Sequence, residues 1–160
     1  MKKLTKQQQV LEADWREDYA YTLGVQAYIF SFPWSYLPSL RFTWVTQKPD
    51  NATTPYAPLN HFWHLRQLGD AKYRGGGSPN YDTLYSVAWL DVSKEPIILS
   101  HPDVADRYFT FEIASMTSDN FAYVGSRTSG SVAGNFAITG PDWEGVLPKA
   151  KPGSSPSGTT

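Results

Sequence analysis

The second half of the sequence consists of short apolar segments separated by turn residues, and this spacing most strongly limits the folds open to the chain. From residue 80 onward, Gly, Pro, Asn and Asp divide the chain into pieces of strand length. The predicted strands are Leu84–Val92, Ile97–Leu99, Tyr108–Ile113, Phe121–Val124 and Asn135–Thr139. Strands that recur at intervals of about a dozen residues, with turn signals between them, are typical of a sandwich or barrel.

The N-terminal part is predicted to be helical. Its large apolar residues fall mostly four apart between residues 10 and 30, which places them on one face of a helix. These residues are Trp15, Tyr19, Leu23, Ala27 and Phe30. Pro33 is predicted to end this helix. The following segment, 32–45, is expected to be a short irregular or helical piece packed by its aromatic side chains.

The fold class that follows is α+β, mainly β with N-terminal helices. We expect a helical region over residues 1–45, a loop-rich connection over 46–79 and a β sandwich over 80–160. The chain of 160 residues is 41% hydrophobic, which is enough for a core. Aromatic residues make up 15% of it, and so they are expected to fill a core, form a stacking surface or line an interface.

Charge and composition exclude several classes of function. The formal net charge of −1 argues against a nucleic-acid-binding protein, and the absence of cysteine excludes disulfides, cysteine-ligated zinc and thiol catalysis. No apolar run reaches the length of a membrane span. Met1–Leu4 is followed by polar residues rather than by the apolar core of a signal peptide, so the default expectation is a cytoplasmic protein.

Several motifs resemble one family. The segment from Ser78 to Asp91, SPNYDTLYSVAWLD, is similar to the signature of the domain-of-unknown-function family 1254. Further matching motifs are Glu95-Pro96, Pro102-Asp103, Asp106-Arg107-Tyr108, Asn120–Gly125, Arg127-Thr128, Ala133-Gly134 and Gly140-Pro141. Because the resemblance extends over roughly residues 15–160, it does not depend on a single motif.

The resemblance implies an architecture and a set of partners. Members of this family generally pair the domain with a C-terminal domain of family 1214, which implies two jelly-roll-like β domains preceded by helical segments. Members are often exported, so a periplasmic or secreted protein is the alternative to a cytoplasmic one. The Pro, Gly and Ser residues near the end, where members continue as a strand, favour a chain cut inside a longer domain over a natural tail. Tyr81 stands where members commonly have Asn, and the run Gly75-Gly76-Gly77 also departs from the family pattern.

The main candidate site is the polar cluster before the strand predicted at Leu84. Asn80 and Thr83 could hydrogen-bond a ligand, and Asp82 could act as a general base or metal ligand. The alternative is structural, because Asn and Asp commonly bond their own backbone in turns. Arg127, in a polar loop after a predicted strand, could bind a carboxylate through its guanidinium fork.

A metal site is the weaker candidate. On a helix, His61 and His64 would lie on roughly one face, and a third ligand would come from Asp70 or His101. The glutamate of the zincin motif is absent, so the two histidines are more simply surface or hydrogen-bonded residues. The sequence therefore predicts no resident metal or cofactor.

Two functional hypotheses remain open. The first is a binding protein or enzyme for a polar, carbohydrate-like small molecule at the strand mouth, oriented by Asn80, Asp82, Thr83 and Arg127. The second is a non-catalytic structural module that packs against a second β domain and other subunits as a homo-oligomer. Five aromatic residues would serve either hypothesis, by stacking on sugars or by forming the interface: Trp34, Tyr36, Trp44, Tyr56 and Trp63.

Overall fold

The described part of the chain contains one helix and six short strands. The computed structural model describes residues 5–73 and 80–147, without the side chains of residues 9–13. The elements in chain order are α1 (Lys6–Thr46), β1 (Trp63–His64), β2 (Ser86–Val87), β3 (Ile97–His101), β4 (Thr110–Ala114), β5 (Asn120–Gly125) and β6 (Gly134–Ile138). The architecture is α+β, with antiparallel strand pairs, as the sequence predicts.

Helix α1 is longer at both ends than the helix that the apolar pattern predicts. It begins at a capping box, in which the Thr5 hydroxyl accepts from the Gln8 backbone N–H and the Gln8 side chain accepts from the Thr5 backbone N–H. The prediction that Pro33 ends the helix is wrong, because both Pro33 and Pro38 lie inside it. A proline removes one helical hydrogen bond, and the long runs of helical residues on both sides carry the helix across it.

The strands form three antiparallel pairs. Strand β1 pairs with β2, β3 pairs with β6, and β4 pairs with β5. In the β3–β6 pair, Ile97 lies opposite Ile138 and His101 lies opposite Gly134. The two strands of this pair are separated in the sequence by the hairpin β4–β5. The register of β4–β5 shifts after Ile113, which marks a bulge. These pairs support antiparallel β structure but do not close into a jelly roll.

Two segments differ from the sequence prediction. The predicted strand Leu84–Val92 is reduced to Ser86–Val87, because its partner β1 is only two residues long and gives it two pairing positions. The metal-site hypothesis assumes that His61 and His64 lie on a helix, but the segment Leu59–Leu68 contains β1 and no helix. By contrast, the alternation predicted for Tyr108–Ile113 is confirmed, since Phe111 and Ile113 are half-buried whereas Thr110 and Glu112 are exposed.

The core of the described part is small. Leu65, Leu99 and Val124 are its buried apolar side chains, and none of the described large side chains is completely buried. An aromatic group connects the two larger strand pairs: the ring of His101, in β3, lies 4.6 Å from that of Phe109 and 5.7 Å from that of Phe136. The backbone N–H of Val104, in the loop after β3, donates to the carbonyl of Ser131, in the loop before β6, at 2.9 Å.

Among the residues that the structure describes, only the last turns of α1 are attached to the β region. The Ala57 backbone N–H donates to the Trp44 carbonyl at 3.1 Å, and the rings of Trp44 and Trp89 meet edge to face at 6.3 Å. Among the described residues, α1 packs against none of the six strands. Most of the helix therefore extends away from the sheets.

Candidate functional site

The polar cluster predicted from the sequence precedes β2 and is open to solvent. Asn80, Asp82 and Thr83 are all exposed, and Tyr81 between them is 79% exposed. The cluster is held by its ends, because the Asn80 backbone N–H donates to the Tyr85 hydroxyl at 2.8 Å and β2 follows at Ser86. The backbone of the cluster is thus anchored while its side chains remain accessible.

Asp82 differs from the other turn-forming side chains of the chain. The Asp91 carboxylate accepts from the Ser93 backbone N–H at 3.0 Å and from its hydroxyl at 2.6 Å. The Asp70 carboxylate accepts from the Lys72 backbone N–H at 2.8 Å. Asp82 makes no hydrogen bond or ion pair with any residue that the structure describes. The turn alternative for Asp82 thus has no supporting hydrogen bond among the described residues, and it stays a prediction beside the ligand-binding one.

These hydrogen bonds also affect ionisation. The side-chain and backbone hydrogen bonds from Ser93 stabilise the Asp91 carboxylate and lower the pKa of that group below its ordinary value of 3.8. Burial, and then the neighbouring Tyr85, raise the pKa of the Tyr73 phenol above 10.0. Neither group belongs to the predicted polar cluster.

Arg127 lies in a tightly bonded turn after β5. The backbone N–H groups of Thr128, Ser129 and Gly130 all donate to the Gly125 carbonyl, at 3.0 to 3.1 Å. The Thr128 hydroxyl also donates to the Tyr123 carbonyl at 3.0 Å. This turn is well determined by its own hydrogen bonds, and it presents Arg127 at the surface.

The guanidinium group of Arg127 lies over an aromatic ring. Its central carbon is 5.3 Å from the centre of the Tyr108 ring, within the range of a cation–π interaction. No carboxylate of the described residues forms an ion pair with it. Its hydrogen-bonding fork is consequently available to an external anion or to a carboxylate from another chain.

The structure does not bring all the predicted site residues together. Asn80, Asp82 and Thr83 lie at the start of β2, whereas Arg127 follows β5 in a different strand pair. No hydrogen bond or ion pair between described residues joins Arg127 to the cluster before β2. They are two separate polar positions on the described surface.

The histidine pair does not form the predicted arrangement. The Nδ1 atom of His61 lies 2.9 Å from the Leu59 carbonyl, and that of His64 lies 2.8 Å from the Ser86 hydroxyl. His101, the suggested third ligand, is buried between Phe109 and Phe136. Within the described ranges, no group of three or more acidic or histidine side chains could hold a metal ion. The run Gly75-Gly76-Gly77, which departs from the family pattern, lies outside those ranges.

The sequence analysis missed the buried position of His101. Its Nδ1 atom lies 2.8 Å from the Pro102 carbonyl, while its buried Nε2 atom has no hydrogen-bond partner. The signal was present in β3, because Leu99 and His101 are two residues apart and so share one face of the strand. Extending the predicted strand by two residues would have placed His101 inside.

The fold and surface define a class before any family is considered: an α+β chain with open strand pairs and a largely exposed aromatic helix. Comparison with known families then assigns it, since the family described as "Protein of unknown function (DUF1254)" matches residues 59–159. The chain belongs to this family. The resemblance found in the sequence motifs is thereby confirmed.

A solved structure shows the same fold over most of the chain. The VPA0106 protein from Vibrio parahaemolyticus superposes with a TM-score of 0.55 at 27% identity, over 81% of this chain. This chain spans only 27% of the length of that protein. No protein of curated function matches the chain. Among the described residues, no helix combines the length and the apolar character needed to cross a membrane.

Proposed function

We propose that this chain is a structural and interaction module whose helix α1 packs against a second β domain of the same protein. The observation that carries this proposal is the exposure of large apolar side chains along most of the helix. Phe30 is 79% exposed, Tyr21 75% and Tyr28 68%. The other exposed members of this set are Trp15, Tyr19, Leu23, Val25, Ile29, Phe32, Trp34, Tyr36 and Phe42.

The exposed side chains surround the helix rather than forming one stripe. Residues two apart in a helix are about 200° apart around its axis, so Tyr21 and Leu23 point to opposite sides. A helix that is apolar on all sides is normally buried on all sides. The sequence predicted a single apolar face, and the full set of exposed residues indicates packing on more than one.

The energetics favour a covering partner. Burying one large apolar side chain contributes roughly 1.5–3 kcal/mol, so a dozen of them left in water would forgo a large stabilisation. Contiguous exposed apolar surface of this kind is typical of interaction sites. The aromatic residues of α1 are already ordered against one another, with the rings of Phe32 and Tyr36 stacked at 5.3 Å.

The β region supports the same proposal. Each of the three described sheets has two strands, and every such strand leaves one edge with unpaired backbone groups. The related Vibrio protein has a chain nearly four times as long as the part that this chain matches. Further polypeptide of that extent would be sufficient to add strands to these edges and to cover α1.

Residues 1–160 contain no cysteine, so a thiol introduced into them can be followed by mass spectrometry of the peptide that carries it. In the full-length gene product, Phe30→Cys places a thiol on the exposed apolar surface of α1, and Lys94→Cys places one in an exposed loop as the control. If α1 is covered, the thiol at position 30 should react about tenfold or more slowly than that at position 94. The two should react alike in denaturant.

Equal labelling rates under native conditions would overturn the proposal. Should Phe30→Cys fail to fold, Tyr21→Cys gives the same test on another side of the helix. If the thiol at position 30 reacted slowly and the thiol at position 21 reacted fast, the partner would cover only the side of α1 that contains position 30.

A second candidate function is supported by the charges of Asp82 and Arg127, neither of which forms an ion pair with a residue that the structure describes. A polar ligand with an acidic group could be oriented by Asn80, Asp82 and Thr83 or neutralised by Arg127, with Asp82 as the candidate general base. We use gluconate, a polyhydroxylated carboxylate, as the probe. Saturation-transfer NMR should detect its binding, and Arg127→Gln should abolish the signal because the anion loses its partner.

The matched control is Tyr108→Phe, which keeps the ring beneath the guanidinium group. Gluconate binding should survive this change, and Asp82→Asn should weaken binding only if both polar positions contact one ligand. Binding that is unaffected by Arg127→Gln, or absent from the unmodified protein, would remove Arg127 as a ligand-binding residue.

A further inference from the structure

The loop between α1 and β1 forms a cleft beside Tyr56 and Trp63, two of the aromatic residues that the sequence predicts to stack on sugars or to form an interface. The cleft has a volume of about 300 Å³ and is lined by Lys48, Asp50 and Asn51 on the loop, together with Tyr56 and Trp63. The cleft is shallow and largely open to solvent, and its volume lies at the lower end of that of ligand sites, so it would cover one face of a ligand the size of one sugar ring. The cleft is separate from Asp82 and Arg127, which do not line it.

The wall of the cleft is ordered by a single side chain. The Asn51 carboxamide oxygen accepts from the backbone N–H of Thr53 at 3.1 Å and from that of Thr54 at 2.9 Å. It also accepts from the hydroxyls of the same two residues, at 2.9 and 3.0 Å. The hydrogen bonds of the Asn51 side chain therefore hold the loop in this turn, and the loop conformation does not depend on a ligand.

The two aromatic residues are fixed from outside the loop. Trp63 lies in β1 opposite Val87 and is half-buried. Tyr56 is 36% exposed, and the next residue, Ala57, is tied to the end of α1 through its bond to the Trp44 carbonyl. The backbone at both rings is thus tied to elements outside the loop, and the rings offer apolar surface to a ligand.

The polar groups at the cleft are available. Lys48 and Asp50 form no hydrogen bond or ion pair with another residue in the described part of the chain. An ammonium group donates hydrogen bonds and a carboxylate accepts them, so together they match the hydroxyl groups of a sugar, which do both. The opposite charges make the cleft close to neutral, which favours a neutral ligand over an anion.

We propose that this cleft binds a neutral, polyhydroxylated ring of monosaccharide size. The ring would pack its apolar face against Tyr56 and Trp63, and its hydroxyl groups would bond to Asp50 and Lys48. This site is independent of the proposed packing of α1 and of the positions of Asp82 and Arg127.

The test is saturation-transfer NMR on the full-length gene product with the methyl glycosides of glucose and galactose as probes. At least one glycoside should receive saturation from the protein. Tyr56→Ala should weaken its binding about two- to tenfold, the range expected for loss of one aromatic contact. Asp50→Asn should weaken it about fivefold, because a charged acceptor is replaced by a neutral one.

Val132→Ala is the control, since Val132 is exposed in the loop before β6, is no part of the proposed α1 packing surface and does not line the cleft. It should leave glycoside binding unchanged. Asp50→Asn remains informative if Tyr56→Ala does not fold. The proposal is overturned if the folded protein binds neither glycoside, or if the cleft variants bind as tightly as the control. Preferential binding of gluconate that depends on Arg127 would instead support the separate anion site.

Discussion

At the scale of single residues, the described surface contains carboxylates of two kinds. Asp91 is committed to the Ser93 hydrogen bonds, whereas Asp82 is exposed and forms none with described residues. The sequence could not separate them, because both are aspartates within polar turn segments. The distinction depends on where the following backbone N–H group lies, which only the folded chain determines.

The hydrogen bonds from Ser93 predict that the contribution of Asp91 to the stability of the fold depends on pH. The pKa of Asp91 is lowered on folding, so its contribution to stability is present above its unfolded value of about 3.8 and is lost as the pH falls through the folded value. Asp91→Asn should therefore reduce the urea midpoint of unfolding at neutral pH. The difference from the unmodified protein should shrink when the pH is taken below that range.

Asp82→Asn is the control for this measurement. It should change the free energy of unfolding by no more than about 0.5 kcal/mol at any pH, as is usual for surface substitutions without a bonded partner. A destabilisation by Asp82→Asn as large as that by Asp91→Asn would show that Asp82 does cap the entry to β2.

At the scale of elements, glycine has opposite roles in the helix and in the sheet. In α1, a Cβ atom at Gly24 would have no neighbour within 4 Å. In β5, a Cβ atom at Gly125 would lie 2.7 Å from Thr110 Cα and closer still to the Phe109 carbonyl oxygen. Because both neighbours at Gly125 are backbone atoms, they cannot move aside as a flexible side chain could.

The matched substitutions test this contrast. Gly24→Ala should stabilise the protein by roughly 0.5–1 kcal/mol, because alanine has the higher helix propensity. Gly125→Ala should destabilise it by about 1–3 kcal/mol through overpacking against β4. Urea unfolding of both variants gives the two values. A neutral result for Gly125→Ala would mean that β4 and β5 are farther apart than the structure places them.

At the scale of the whole molecule, the described part of the chain buries little of its own apolar surface. Leu65, Leu99 and Val124 are buried, while many larger apolar side chains on α1 and on the outer face of β5 are exposed. Phe121 and Tyr123 belong to the second group, at 61% and 48% exposure. The labelling experiment at positions 30 and 94 addresses this scale, because it measures whether the full-length protein covers the helix.

Local patterns in the sequence were sufficient to predict four of the strands. Short apolar segments bounded by turn residues predicted β3, β5 and β6 to within a few residues, and alternation of apolar and polar residues predicted β4. The motifs around Ser78–Asp91 also identified the family. Both results depend on information that is contained in neighbouring residues.

The extent of the long helix and the shape of the candidate site could not be predicted from neighbouring residues alone. Whether α1 continues through Pro33 is decided by the balance between one lost hydrogen bond and the helical residues on both sides, and the sequence pattern alone predicted the wrong outcome. The cleft at Tyr56 and Trp63 depends on β1 pairing with β2, which brings together residues more than twenty positions apart. The sequence determined the class, the strands and the family, whereas tertiary structure determined which polar and aromatic groups are free to bind, because availability depends on neighbours from elsewhere in the chain.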